Sequence, residues 1–399
     1  MAGMNVREQD KKVILALAGR IDTNNAADTE KEIMDILSAH PGKVPAFDAK
    51  DLAYISSAGL RVLMKIRKQT GDAVEVFDVS PEVYDIFETT GFTELLTVRK
   101  KLRTIDVSSC EKIGEGGNGA VYRLDNDKIV KVYRPWVGID AIERERTFAR
   151  TAFVNGIPSV IAYDTVRVGD CYGIVFELLD SDTLGHAMSA HPEKLEAYVD
   201  QYVALARTLH STHVPKGSFT PIREIYHGMA DNLGKWCSDE EIALLHSLVD
   251  EIPEADTVTH NDLHPGNIML QDGELVLIDM QEVTMGPPIC DLTSIYRHMI
   301  IGPQRYAEVM IRSVGMPADL IQKTGHMFFR KYTGITDEKE MESFYQKLGL
   351  LYTLNVSLIV GNGSESAMKR GDMIMNYLLR QTLIPNEKTI RTILRDAAK

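Results

Sequence analysis

The chain has 399 residues, 44% of them apolar and 25% charged, the proportions of an ordinary globular protein rather than a disordered or fibrous one. That length exceeds what one hydrophobic core usually organises, so two or three domains are expected. A net charge of −13, nearly all of it arising beyond residue 104, disfavours nucleic acid and anionic lipid as partners and suits a cationic substrate.

No apolar run approaches the roughly 18 residues of a membrane span, and MAGMNVREQDKK lacks the apolar stretch of a signal peptide, so a cytoplasmic protein without a membrane partner is expected. Cys110, Cys171, Cys237 and Cys290 are far apart and show no metal-ligand spacing, which reads as free thiols in a reducing compartment.

In chain order, KVILALAG, VPAFDAKD and AVEVFDVS read as strands, interleaved with the helical patterns DTNNAADTEKEIMDILSAH, AGLRVLMKIRKQTG and PEVYDIFETTGF. Asp22 or Thr23 is placed to cap the first of these helices. Strands alternating with helices predict a small α/β layer over 1–104, and the basic stretch RKKLRT marks its end. From residue 105 the sequence turns strand-rich, with CEKIGEGGNGAVYRL and NDKIVKVY joined at Asp125–Asp127, then SVIAYDTVRV and YGIVFELL joined at Gly169-Asp170. Helical patterns dominate 182–255, a hairpin follows with Asp272-Gly273 at its turn, and the remainder is again largely helical.

GEGGNGAV fits G-x-G-x-x-G-x-V with Gly114, Gly116 and Gly119, and three glycines between strands let backbone N–H groups approach phosphate oxygens. A Rossmann loop is disfavoured because the run leads into a strand rather than a helix. Lys131, amid apolar neighbours on the next strand, suits contact with nucleotide phosphates, and Glu145 or its rival Glu143 could pair with it. In THNDLHPGN, Asp262 and Asn267 are five apart, as in H-x-D-x-x-x-x-N, and Asp279 follows in LVLIDM. Transfer from Mg2+-ATP needs a carboxylate to orient and deprotonate an acceptor hydroxyl, which suits Asp262, and oxygen ligands for magnesium, which suits Asn267 and Asp279. His260 is expected to support the loop and His264 to be structural or phosphate-adjacent, since magnesium prefers oxygen.

On these motifs residues 105–399 resemble the kinase-like phosphotransferase superfamily, in its aminoglycoside phosphotransferase and choline kinase branch. The resemblance implies an α+β bilobal protein-kinase-like domain, with an N-lobe over about 105–180 and a C-lobe over about 181–399. It implies also that Glu177-Leu178-Leu179 receives adenine and that Asp291 is a structural aspartate. Only eleven residues separate Asp279 from Asp291 and no A-P-E occurs, which removes a peptide-binding activation loop and favours a small hydroxylated substrate, cationic if the overall acidity guides it.

Residues 1–104 resemble a STAS domain, the fold of bacterial anti-sigma-factor antagonists, through the order of elements and through YISSAGLRVL. By that resemblance Ser57 is the phosphoacceptor, Ser56 stands where an aspartate is usual, Ala58 replaces the second serine, and the partner is an anti-sigma factor or other regulatory protein. A serine at a helix amino terminus suits an added phosphate, and the same position suits plain capping by Ser56 or Ser57. The alternative to an enzyme with a STAS module is a signalling protein switched at Ser57, acted on by its own kinase-like part.

Overall fold

The computed structural model describes residues 4–9, 11–71, 74–362 and 365–397. The chain divides into two compact units, Met1–Ile105 and Asp106–Lys399.

The first unit is a five-stranded mixed sheet in sequential order: β1 (Val6–Gln9), β2 (Lys12–Ile21), β3 (Val44–Ile55), β4 (Glu75–Val79) and β5 (Thr97–Lys100). β1 runs antiparallel to β2, and the other neighbours are parallel. Val13, Ile14, Leu15 and Leu17 of β2 are all buried, the near-continuous apolar run of a strand covered on both faces. Helices α1 (Ala26–Ala39), α2 (Ser57–Thr70) and α3 (Pro81–Thr89) supply the cover. Leu60, Leu63 and Ile66 of α2 are at most 2% exposed, each worth about 1.5–3 kcal/mol of burial. The helix sits so close to the sheet that a Cβ on Gly59 would meet Ile55 Cγ1 at 2.7 Å and Ile21 Cγ2 at 2.8 Å.

Two local expectations differ from what is observed. α1 starts at Ala26, because the Asp22 carbonyl first accepts the N–H groups of Asn25 and Ala26 in a turn, and Asp22 Oδ1 accepts from Asn24 N. The basic stretch is not a bare linker: Arg99 and Lys100 belong to β5.

The second unit opens with five antiparallel strands, β6 (Lys112–Glu115), β7 (Gly119–Arg123), β8 (Lys128–Tyr133), β9 (Ala162–Val168) and β10 (Cys171–Glu177), in the order β9-β10-β8-β7-β6. Helix α4 (Ile139–Val154) crosses between β8 and β9 and turns Ile142, Glu145, Phe148, Ala149 and Ala152 inward at helical spacing. Helices α5 (Leu184–Ala190), α6 (Leu195–Ser211), α7 (Ile222–Asp231) and α8 (Asp239–Val249) follow. Two short ladders come next, β11 (Val258–Thr259) with β14 (Thr284–Met285) and β12 (Ile268–Gln271) with β13 (Glu274–Leu277). Asp272 and Gly273 close the second ladder with φ of 52° and 88°, the two positive values of a type I′ turn. Helix α9 (Pro288–Tyr296) and a largely helical remainder complete the unit. Among the described residues no helix is long and apolar enough to cross a membrane.

Candidate functional site

The loop between β11 and β12 is built around one buried carboxylate. Asp291, fully buried on α9, accepts from His260 N at 2.8 Å, Asn261 N at 2.6 Å and His210 Nε2 at 3.0 Å. Asn261 is held at φ 61°, a costly backbone for a residue other than glycine. Its side chain compensates by donating to Glu282 O at 2.8 Å and Thr284 Oγ1 at 2.9 Å, while its carbonyl accepts from Ser294 Oγ at 2.5 Å. His260 is wholly buried and its Nε2 lies 3.2 Å from Ile278 O, so it braces the loop rather than facing the cleft.

The loop so fixed presents Asp262. Asn267 Nδ2 donates to Asp262 Oδ2 at 2.9 Å and to its carbonyl at 3.0 Å. With its N–H groups spent there, the amide turns Oδ1 outward as the atom left for another partner. On the other edge, Asp262 Oδ1 faces His298 Nε2 at 3.2 Å and Arg297 Nη2 at 3.9 Å. Burial works against ionisation of Asp262, but His298, His264 and Arg297 override it and hold the carboxyl below its ordinary range. It is therefore an ionised carboxylate held in position.

Asp262, His264 and His298 bring donor atoms within 4.8 Å of one another, a grouping that could hold a metal ion. The hydrogen bonds argue otherwise for His264. Its Nδ1 accepts from Gly266 N at 3.1 Å, so in the neutral ring that burial favours, the hydrogen sits on Nε2, facing Ser313 Oγ at 3.2 Å and Asp262 Oδ2 at 3.7 Å.

Opposite this loop, Lys131 on β8 reaches Glu145 Oε1 at 2.8 Å and Asp279 Oδ1 at 3.1 Å. Burial would lower the ammonium pKa, yet the two carboxylates outweigh it and push it up, so Lys131 stays charged. Glu143, the rival partner, pairs instead with Arg146 at 2.8 Å. Asp279 adopts a left-handed backbone at φ 58°, and its side chain is 39% exposed to the cleft. The Ile278 N–H donates to Asn267 O at 3.0 Å, which ties the two candidate metal-ligand positions together.

The glycine hairpin joins β6 to β7. A Cβ on Gly119 would lie 2.1 Å from Val132 O, so the strand pairing itself requires glycine there. Gly116 meets nothing within 4 Å and Gly114 only ordinary contacts with Val121, so neither is demanded by the packing. Asn118 at the tip donates to Gln281 Oε1 at 2.9 Å, just beyond Asp279. Glu177 lies at the end of β10, where its carboxylate accepts from Ile161 N at 2.7 Å, and Leu178 N donates to Asp127 O at 2.8 Å.

Sequence reasoning missed Ser294, Arg297 and His298, and it missed Glu282, whose carboxyl is pushed up to about 7 by burial and by Asp262 and Asp279. Glu282 is nevertheless solvent-accessible, as expected of a group lining a cleft rather than a core. Asp291, Ser294 and His298 stand at i, i+3 and i+7, a helical face that was present in DLTSIYRH. In the first unit, Ser56 Oγ accepts from Ala58 N at 3.2 Å and Gly59 N at 3.4 Å, so Ser56 caps α2 and Ser57 stands exposed as its first residue.

Comparison with known proteins agrees with this division. The phosphotransferase enzyme family matches residues 109–320, and the STAS domain family matches 3–105. The first unit is similar to BtrV of Bordetella bronchiseptica, described as a candidate anti-sigma factor antagonist, with 33% identity over 93 residues that make up 22% of this chain and 78% of that protein. Among solved structures, the ADP-bound aminoglycoside phosphotransferase APH(2″)-Ib is similar at 14% identity and a TM-score of 0.45, covering 75% of this chain and 97% of that one. A choline/ethanolamine kinase family protein from Mesorhizobium loti matches at 16% identity and 0.42, covering 72% and 92%.

Proposed function

The chain belongs to the phosphotransferase enzyme family, with a STAS domain ahead of the matched region, and from that premise we propose that it transfers the γ-phosphoryl group of ATP to a hydroxyl of a small molecule. The observation that carries this reading is the ionised Asp262, pinned by Asn267 on one edge and by His298 and Arg297 on the other, facing a charged Lys131–Glu145–Asp279 triad.

In this reading the Gly114, Gly116 and Gly119 hairpin covers the phosphates and the Glu177–Leu179 segment receives adenine. Lys131, kept cationic and oriented by Glu145, binds phosphate oxygens. Asp262 accepts the acceptor hydroxyl proton as that oxygen bonds to the γ-phosphorus; the bond to the bridging oxygen breaks and ADP leaves with its electron pair. Asp279 and the outward Oδ1 of Asn267 are hard oxygen donors of the kind magnesium takes, and Mg2+ held there would neutralise phosphate charge. The eleven-residue interval between Asp279 and Asp291, too short for a peptide-binding activation loop, is the ground for a small acceptor.

Asp262→Ala tests the assignment. Phosphoryl transfer to any acceptor should fall by several orders of magnitude with ATP binding retained, whereas unchanged turnover would remove Asp262 from its role.

For the first unit we propose a protein-binding role, with an anti-sigma factor or other regulatory protein as partner and Ser57 as the phosphorylation site. The exposure of Ser57, with capping left to Ser56, favours it: a phosphate there would meet the α2 amino terminus. Incubation with Mg-ATP followed by peptide mass analysis separates two sources of that phosphate. Modification of Ser57 that vanishes in Asp262→Ala would make it self-phosphorylation; modification only on adding a second kinase would assign it to a partner.

A further inference from the structure

Arg297 lies 3.9 Å from the edge of Asp262 opposite Asn267, and in the phosphotransferase reading that edge, turned from the candidate metal ligand, is where an acceptor approaches. It begins a row. Asn355 Oδ1 lies 3.5 Å from Arg297 Nη1, and Asn355 in turn donates to Tyr226 OH at 2.9 Å, which props the guanidinium in place. Tyr352, only 7% exposed, sits within the fields of Arg297, Arg305 and Tyr306, and the Arg370 guanidinium lies 5.5 Å from the Tyr306 ring centre.

The row is set apart by its place, since it begins at the edge of Asp262. Several arginines of this unit pair with carboxylates, among them Arg223 with Asp250, Arg330 with Glu338, Arg380 with Glu241, and Arg391 and Arg395 with Glu251, whereas others, such as Arg167 and Arg207, meet a hydroxyl or backbone carbonyls. Among the described residues, Arg305 and Arg370 have no carboxylate within ion-pair distance, and the one near Arg297 is the catalytic candidate itself at 3.9 Å. Among the described residues, then, a chain with 57 acidic residues and a net charge of −13 sets no carboxylate against Arg305 or Arg370. Their planar forks match a phosphate or carboxylate far better than an ammonium group.

We propose that Arg297, Arg305 and Arg370, with Tyr306, bind an anionic group, phosphate or carboxylate, carried by the hydroxylated acceptor. The inference rests on the phosphotransferase reading above, and it reverses the cationic acceptor that overall charge suggests. Overall charge is a property of the whole surface, whereas recognition is set by the charges that flank the reacting oxygen.

Calorimetric titration of the full chain, with Mg·AMP-PNP filling the nucleotide site, compares glycerol 3-phosphate, glycerate, glycerol and choline. One or both anions should bind, identifying phosphate or carboxylate as the preferred group, while glycerol and choline should not. The double variant Arg305→Gln/Arg370→Gln, checked for folding by its tryptophan-fluorescence melt, should bind the anion about ten-fold more weakly or worse. Failure of both anions to bind, tighter binding of choline, or equal anion binding by the folded double variant would overturn the inference. The underlying reading fails separately: arginine-dependent anion binding without transfer to any acceptor leaves the site and removes the phosphotransferase, while transfer to choline without anion binding does the reverse.

Discussion

Replacing Asp291 by Asn changes one oxygen for an N–H2 group and leaves the shape intact. In the wild type each carboxylate oxygen faces a backbone donor, His260 N or Asn261 N, and one also takes His210 Nε2. The amide must set its own N–H2 against one of those backbone donors. One charge-assisted hydrogen bond, worth about 1.5–3 kcal/mol, is then lost outright, and the others fall to neutral strength near 1 kcal/mol. The sum is a loss of roughly 3–4 kcal/mol. Melting points move about 2–4 °C per kcal/mol in domains of 150–250 residues, so in a unit somewhat larger than that the melt should fall by on the order of 6–8 °C. Both tryptophans, Trp136 and Trp236, lie in the second unit, so their fluorescence follows that unit alone. Asp291→Ala, which strands all three donors, should fall further. A melt for Asp291→Asn within about 1 °C of the wild type would refute the argument that this carboxylate holds the loop carrying Asp262.

Other perturbations separate packing from function. Gly119→Ala drives a Cβ into the Val132 carbonyl and should cost about 1–3 kcal/mol or more, whereas Gly116→Ala should melt as the wild type and show its effect only in the KM for ATP. Lys131→Ala strands Glu145, 2% exposed, as a buried unpaired carboxylate and should cost about 3–5 kcal/mol, with Lys131→Met/Glu145→Gln recovering stability but not transfer; no recovery would mean the ion pair is not the cause. Burial raises the Cys237 and Cys290 thiols to about 11 and 12, so at pH 8 peptide mapping after brief iodoacetamide treatment should find both unmodified in the folded chain. Hydrogen bonds from Arg395 and Arg391 hold Glu251 near 2 against an ordinary value of 4.5, so the stabilisation this cluster gives is present above pH 4.5 and is lost as pH falls towards 2; amide exchange of helix Glu387–Asp396 should accelerate over that window.

The sequence was most informative where several signals coincide. The five-residue Asp262–Asn267 spacing, the later Asp279 and the lysine on an apolar strand each have bland readings alone, and it is their order and spacing together that made the grouping legible; the left-handed backbone of Asp279 was not. The glycine motif was less transparent because it combines two constraints. Gly119 answers to the Val132 carbonyl within the fold, and only Gly114 and Gly116, which the packing does not require, are left to answer to a ligand. In α2 the sequence offered Ser56 and Ser57 as equal caps, and the geometry gives the cap to Ser56 because its extended backbone, at φ −90° and ψ 173°, aims the hydroxyl back at the next N–H groups.

The acceptor side was illegible for a different reason. Arg297, Arg305, Tyr352 and Arg370 come from separate helical segments, and the row forms only when the helix after Asp291 widens into a π turn over Arg297–Ile301 and later helices fold back beside it. A π turn adds one residue to each turn, so the positions beyond it leave the face that the preceding helix would predict. Arg305 is thereby displaced from the periodicity of α9, and no window of sequence marks it as a neighbour of Arg297. His298 is different: it keeps the i, i+3, i+7 face of Asp291 and Ser294, so the regular helix rather than the widened turn sets it against Asp262. Straightening the widened turn would therefore move Arg305 and leave His298 in place, and for that reason a change in acceptor preference made beyond the turn should leave the rate of transfer largely as it was.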